Sequence, residues 1–374
     1  MSYNQDAFEK AKSELKKIPG VVGVGLTHSS VTGLGNEHQI VVYLKDKTPI
    51  LQNLIPRSIY GIPIVYKITG KTEMRAFVEV RDRSKLNNDS RNSMKTLQFK
   101  DKHRPILGGI SGGLYGSQLS ITGTLGCFVR DNIGRTVILS NNHVLAWDIE
   151  SMPYKGLKGE PIIQPGNIDG GNISNLAGTL EKSVRLLLTK NTIDAAYAAP
   201  TADINSIAIS EPNICNLYTN KSVTSSIGMK VKKAGRTTGC MDGIVESTNS
   251  SFDVEYTVGG TTLVIPFDDV LVISNPNPTI PVSQPGDSGS MWVTSNMNNA
   301  VGLNFAGNDN GTTSIACKAT NIEKQLCVKF GFEQSASVLS CNSQPTTLPS
   351  VFSSPYVILA AGLGIVVLMT LSSS

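Results

Sequence analysis

From about residue 120 to 318 the chain is a succession of short apolar runs, rich in β-branched residues and bounded by glycine, asparagine or aspartate. Gly123 to Arg130, Thr136 to Ser140, Arg185 to Leu188, Ile193 to Ala198 and Met229 to Ala234 come first. Gly243 to Glu246, Phe252 to Val258, Thr261 to Pro266, Val270 to Ser274, Ser290 to Thr294, Val301 to Phe305 and Ser314 to Lys318 follow. Runs this short are below helix length, and their spacing predicts the strands of a sandwich or barrel. One helical period interrupts them: over Asn321 to Phe330, Ile322, Leu326 and Phe330 fall on one face. The fold class is mainly β, and 374 residues, 40% of them hydrophobic, supply a sizeable core and more than one domain.

Residues 1 to 80 form a different kind of unit. Phe8, Ala11, Leu15 and Ile18 recur at helical spacing after an Asp6/Glu9 capping box, and Pro19-Gly20 ends the helix. Val21 to Leu26 and Gln39 to Leu44 make a hairpin, and Gly61 to Ile68 adds a strand, giving a small α+β module. The glycines of Gly20 to Gly25 lack the order and following helix of a dinucleotide loop, so they are strand and turn glycines. Residues 81 to 119 are a linker, polar as far as His103. The strand-rich domain covers 120 to 330. A spacer over 331 to 355, uncharged after Glu333, leads to an apolar stretch at 356 to 371. That stretch is either a membrane anchor, a transmembrane helix, or a buried helix, and the polar spacer favours the anchor.

A net charge of +4 without a basic block does not favour a nucleic-acid partner. The N-terminus lacks a basic region followed by an apolar run, so no secretory signal is expected and the chain is expected to be intracellular. Six widely spaced cysteines without C-x-x-C pairs then favour free thiols. No metal site and no cofactor are expected.

The chemistry lies in Gln284-Pro285-Gly286-Asp287-Ser288-Gly289-Ser290, a serine between glycines that permit a sharp, exposed turn. A serine hydroxyl attacks an amide at neutral pH only with a base and an orienting carboxylate. Of four histidines, His143 follows the apolar strand Thr136 to Ser140, a rigid support, whereas His28, His38 and His103 read as ordinary loop or surface histidines. Asp194, among small and apolar neighbours, would be buried and needs a donor: an imidazole N–H that it orients would serve, and so would a turn that it caps or a Lys or Arg.

The order His143, Asp194, Ser288 is that of chymotrypsin and differs from subtilisin and the α/β-hydrolases. With Thr124-Leu125-Gly126-Cys127-Phe128, Asn142-His143-Val144-Leu145, Ile193-Asp194-Ala195-Ala196 and Gly286 to Ser290, the stretch from 120 to 330 resembles the chymotrypsin-fold, trypsin-like serine proteases of bacteria and plants. Lys233 to Gly239 and Ala300 to Gly307 resemble bacterial members, and more loosely so does the N-terminal module. The resemblance implies two six-stranded β-barrels with the site between them and a polypeptide substrate. It implies His143 as base, Asp194 holding its tautomer, Ser288 as nucleophile, and the N–H groups of Gly286 and Ser288 as oxyanion hole. A side chain at Gly286 would obstruct that hole, and Phe305, Ala306 and Gly307 would pair with the substrate backbone.

Two departures follow. Val144 stands where many relatives have a cysteine, so Cys127 lacks that partner; Val282, six before the serine, does not support trypsin-like specificity. Asp287 would pair with a new N-terminus released near Ile106 to Ile110 or with an internal cation, or else stay a solvated turn aspartate. The reading is a serine endopeptidase; the alternatives are a non-catalytic binding scaffold and a protease limited to self-processing.

Overall fold

The computed structural model describes residues 4–29, 37–47, 53–80, 97–205, 215, 217–275, 277 and 279–331. The apolar stretch at 356 to 371 and nearly all of its spacer lie outside them, as does most of the polar run at 81 to 103. Among the described residues no helix is long and apolar enough to cross a membrane.

Helix α1 (Gln5–Leu15) buries Phe8, Ala11 and Leu15, as their spacing requires; its cap is Asn4, whose side chain accepts from Ala7 N–H, and not Asp6. These residues pack on Val24 and Leu26 of β1 (Val21–His28) and on Ile40 and Val42 of β2 (His38–Leu44), a core of their own. Strands β3 (Ser58–Ile59), β4 (Ile62–Ile68) and β5 (Thr72–Met74) follow, with β2 and β4 parallel.

The next eight strands form one sheet: β6 (Phe77–Val80), β7 (Ile110–Leu114), β8 (Leu119–Leu125), β9 (Cys127–Arg130), β10 (Thr136–Ser140), β11 (Pro161–Ile163), β12 (Leu176–Ser183) and β13 (Ala196–Pro200). Its order is β6-β8-β7-β11-β12-β13-β10-β9. Only Gly126 separates β8 from β9, so they act as one bent strand and the path from β8 returns to its start as a six-stranded ring. Strand β6 lies outside that ring, paired antiparallel to β8. The run from Arg185 to Leu188, read as a strand, makes only the isolated bridge of Leu186 to Ile149.

The second sheet holds β14 (Asn220–Ser222), β15 (Lys230–Gly235), β16 (Gly239–Val258), β17 (Thr261–Ser274), β18 (Met291–Thr294), β19 (Asn299–Asn308) and β20 (Thr313–Lys318). The path β15-β18-β19-β20-β17-β16 closes through β15–β16 pairing, a second six-stranded ring. Four sequence runs became two long strands, because register shifts between Val245 and Phe252 absorb the breaks without ending β16–β17 pairing. Strand β1 adds to the outside of β16. Glycines allow that approach: a Cβ on Gly23 would lie 2.3 Å from the Phe252 ring, and one on Gly25 2.3 Å from Ser250 Oγ. The chain thus adds β1–β4 beside the second ring, with Lys12 of α1 bonded to Asp268 at 2.7 Å.

The last helix among the described residues, α3, is Ala319–Leu326, with a four-residue α2 (Asn142–Leu145) before it in the chain. Helix α3 stops short of Phe330 because Cys327 turns left-handed (φ 59°), though Ile322, Leu326 and Phe330 are all buried as their spacing implies. The cysteines depart from the expectation of free thiols. Cys215 and Cys240 form a disulfide with Cα atoms 5.8 Å apart, inside the usual range, and Cys327 is also disulfide-bonded. Spacing along the chain carried no sign of a pair that only the fold brings together. Cys127 and Cys317 are free and buried; burial pushes the Cys127 thiol up to about 12.

Candidate active site

Strand β10 delivers Ser140 and Asn141 to the edge of the first ring, and the single turn of α2 then sets His143 inward. Asn141 Nδ2 donates to the Asp194 carbonyl at 2.7 Å, which fixes the Asp194 backbone relative to that turn. The Asp194 carboxylate accepts from the His143 backbone N–H at 3.1 Å and from His143 Nδ1. Both side chains are fully buried. With Nδ1 donating to the carboxylate, Nε2 is left as the basic nitrogen, and it has no hydrogen-bond partner among the described residues.

Tyr256 completes the carboxylate's surroundings, its hydroxyl donating to Asp194 Oδ2 at 2.7 Å. Burial, followed by the charge of Asp194, raises the Tyr256 phenol well above its ordinary value, so it stays a donor. The sequence pattern marked Tyr256 only as an inward residue of a strand, because nothing in a period-2 pattern says where a hydroxyl points. The Asp194 backbone N–H donates to Cys317 Sγ at 3.0 Å.

Ser288 sits in a turn held from three sides. Gly286 (φ +101°) and Gly289 (φ +95°) have left-handed backbone that favours glycine. The reason for Gly286 differs from the one expected. A Cβ there would lie 2.4 Å from Thr237 Oγ1 and 2.9 Å from Arg236 Nη1, so the clash is beneath the turn. Thr124 of β8 joins the two rings at this point: its N–H donates to Ser288 O at 2.7 Å, and its hydroxyl donates to Gly286 O at 2.8 Å. That hydroxyl also accepts from Arg236 N–H at 3.0 Å.

Asp287 has an internal cation. Its carboxylate lies 3.4 Å from Lys233 Nζ, both side chains fully buried, and accepts from the N–H groups of Thr237, Thr238 and Gln284 and from Thr238 Oγ1 at 2.8–3.1 Å. Burial lowers the Lys233 ammonium, with Asp287 opposing it. A newly released N-terminus is not needed to fill that place.

The Gly286 and Ser288 N–H groups converge on one acceptor, the Arg75 carbonyl, at 2.6 and 3.0 Å. Arg75 N–H donates to Phe305 O at 3.1 Å and to Ser288 Oγ at 2.9 Å, while the serine hydroxyl donates to Phe305 O at 3.0 Å. Strand β5 pairs antiparallel with β19, placing Met74 opposite Ala306 and Glu73 opposite Gly307. The proposed triad therefore assembles in part: His143 and Asp194 are joined, while Ser288 Oγ is bonded to Arg75 and Phe305 in place of His143 Nε2. Among the described residues no cluster of His, Cys, Asp and Glu could hold a metal ion.

Several solved structures are similar to part of this chain. A Nocardiopsis protease (NAPase) is 19% identical over 61% of this chain and 99% of its own length, with a TM-score of 0.41. Thermobifida fusca protease A matches at 16% identity over 61% of this chain and 99% of its own, also at 0.41. A Cellulomonas bogoriensis chymotrypsin matches at 18% over 60% and 97%, at 0.40. No protein-family model matches the chain, and no curated protein matches it.

Proposed function

We propose that the chain is a serine endopeptidase in which Ser288 is the nucleophile, His143 the general base and Asp194 the group that holds the imidazole tautomer. The observation that carries this reading is the pair of N–H groups, Gly286 and Ser288, meeting on a single carbonyl oxygen, in a chain that also joins His143 to Asp194. Two donors on one carbonyl oxygen are what a tetrahedral oxyanion requires. In the reaction Ser288 Oγ attacks the substrate carbonyl carbon and its proton passes to His143 Nε2. The C–N bond breaks as that proton moves to the leaving amine, and water, deprotonated by the same nitrogen, hydrolyses the ester. The Asp194 carboxylate, bonded to Nδ1, stabilises the imidazolium formed on the way.

A fluorophosphonate probe applied over a long incubation, with the modified residue mapped by mass spectrometry, tests the assignment. Modification at Ser288, absent in Ser288→Ala, is predicted. A chain that stays unmodified both as it stands and after Arg75→Pro, which removes an N–H bonded to Ser288 Oγ, is instead a binding scaffold.

A further inference from the structure

The segment from Thr72 to Val80 runs through the site as two short strands with a bend at Ala76 between them. Its first part, β5, lies along β19 of the second ring; its last part, β6, lies along β8 of the first. Only Arg75 and Ala76 lie between, at the point where Gly286, Ser288 and Phe305 bond to the Arg75 backbone. The far half is anchored as well. The Arg236 guanidinium stacks over Phe77 at 4.9 Å, and Asn167 Nδ2 donates to Glu79 Oε2 at 2.7 Å.

Arg75 is 2% exposed. A Cβ on Gly307 would come within 2.9 Å of its Nε, so the absent side chain at that position is what makes room for the guanidinium. Nε and Nη2 have no hydrogen-bond partner among the described residues. Burial disfavours its charge, and the carboxylates of Glu73, Asp309 and Asp287 favour it, in that order. On balance burial outweighs them, and Glu73, the first of the three, belongs to the same segment as Arg75.

We infer that Thr72–Val80 is a built-in occupant of the cleft, bound in the direction of a substrate with Arg75 just before the reacting position. The intact chain is therefore self-occluded, and the polypeptides it acts on carry arginine at that place. This rests on the peptidase reading above. The occupant also explains the serine: Arg75 N–H and Phe305 O hold the Ser288 hydroxyl in hydrogen bonds other than one to His143, so the resting site is blocked and its nucleophile is disengaged.

The test compares the intact chain with Arg75→Pro, which removes both the side chain and the N–H that bonds Phe305 and Ser288. Fluorophosphonate modification is expected to be at least about tenfold faster in Arg75→Pro. Binding is read separately in the Arg75→Pro, Ser288→Ala chain by fluorescence polarisation of a labelled peptide of sequence GKTEMRAFVEV. That peptide is expected to bind at least about tenfold more tightly than its Arg-to-Asp counterpart. Peptide binding with arginine preference, but no modification of any chain, would sink the peptidase reading and leave the occupant in place. Equal modification rates in the intact and Arg75→Pro chains would overturn self-occlusion, and equal binding of the two peptides would overturn the preference for arginine.

Discussion

Gly286→Ala separates the role of the turn from that of the fold. The new Cβ would stand 2.4 Å from Thr237 Oγ1, 2.9 Å from Arg236 Nη1 and 3.0 Å from Arg236 Cδ. None of these atoms has freedom to retreat. Thr237 Oγ1 donates to Pro285 O at 2.6 Å, and Arg236 makes two bonds to Asp169 at 2.6 and 2.7 Å. The turn itself must move, and alanine at φ +101° adds about 1–3 kcal/mol of backbone strain. Movement of the turn swings the Gly286 N–H off the oxyanion position, a loss of about 2.7–4 kcal/mol in the transition state, or roughly 10²–10³ in kcat. Peptide hydrolysis measured in an Arg75→Pro background, alongside thermal unfolding of the same chains, tests this. A folded Gly286→Ala chain with undiminished kcat would refute the assignment of Gly286 as an oxyanion donor.

Lys233→Met removes the buried partner of Asp287, and breaking such a pair costs about 3–5 kcal/mol. Four hydrogen-bond donors stay on Asp287, so a loss near 3 kcal/mol in urea unfolding is predicted, with most of it recovered when Asp287→Asn is added. Tyr256→Phe leaves the Asp194 carboxylate one donor short and is predicted to lower stability by about 1.5–3 kcal/mol in the same assay. Asp268 gives a pH dependence: burial raises its carboxyl, but bonds from Lys12, Lys190 and Ser251 outweigh this and hold it well below the usual range. A depressed carboxyl stabilises the fold fully above the unfolded value of about 4 and loses that contribution as pH falls below it. The stability gap between the native chain and Asp268→Asn is therefore predicted to be constant above about pH 5 and to close in acid.

Much of this architecture was legible because strands announce themselves. The runs from Thr136 to Ser140 and from Val301 to Phe305 are strands, and Val21 to Leu26 pairs antiparallel with Gln39 to Leu44 as expected. His143 and Asp194 could be picked out because a buried aspartate needs a donor and a histidine at a strand end can supply one. What pattern could not convey was partnership through the backbone. Gly70 to Arg75 has no apolar alternation, since β5 is held by main-chain bonds to β19 that leave no mark on residue type. The same holds for the disulfide of Cys215 with Cys240, and for Thr124, whose hydroxyl bridges the rings from a position that reads as an ordinary strand threonine. Gly286 was noticed for the right conformational freedom and given the wrong neighbour, because the side chains beneath it come from a loop fifty positions earlier in the chain.

The central claim is that Ser288 becomes covalently acylated during peptide hydrolysis. An Arg75→Pro chain, mixed with a peptide ester carrying arginine before the labile bond and quenched in acid within the first turnover, tests it directly. The account predicts the acyl mass on the peptide containing Ser288, and none when His143 is changed to Ala. Hydrolysis that continues at the same rate in Ser288→Ala, with no acyl group on the native serine, would contradict it.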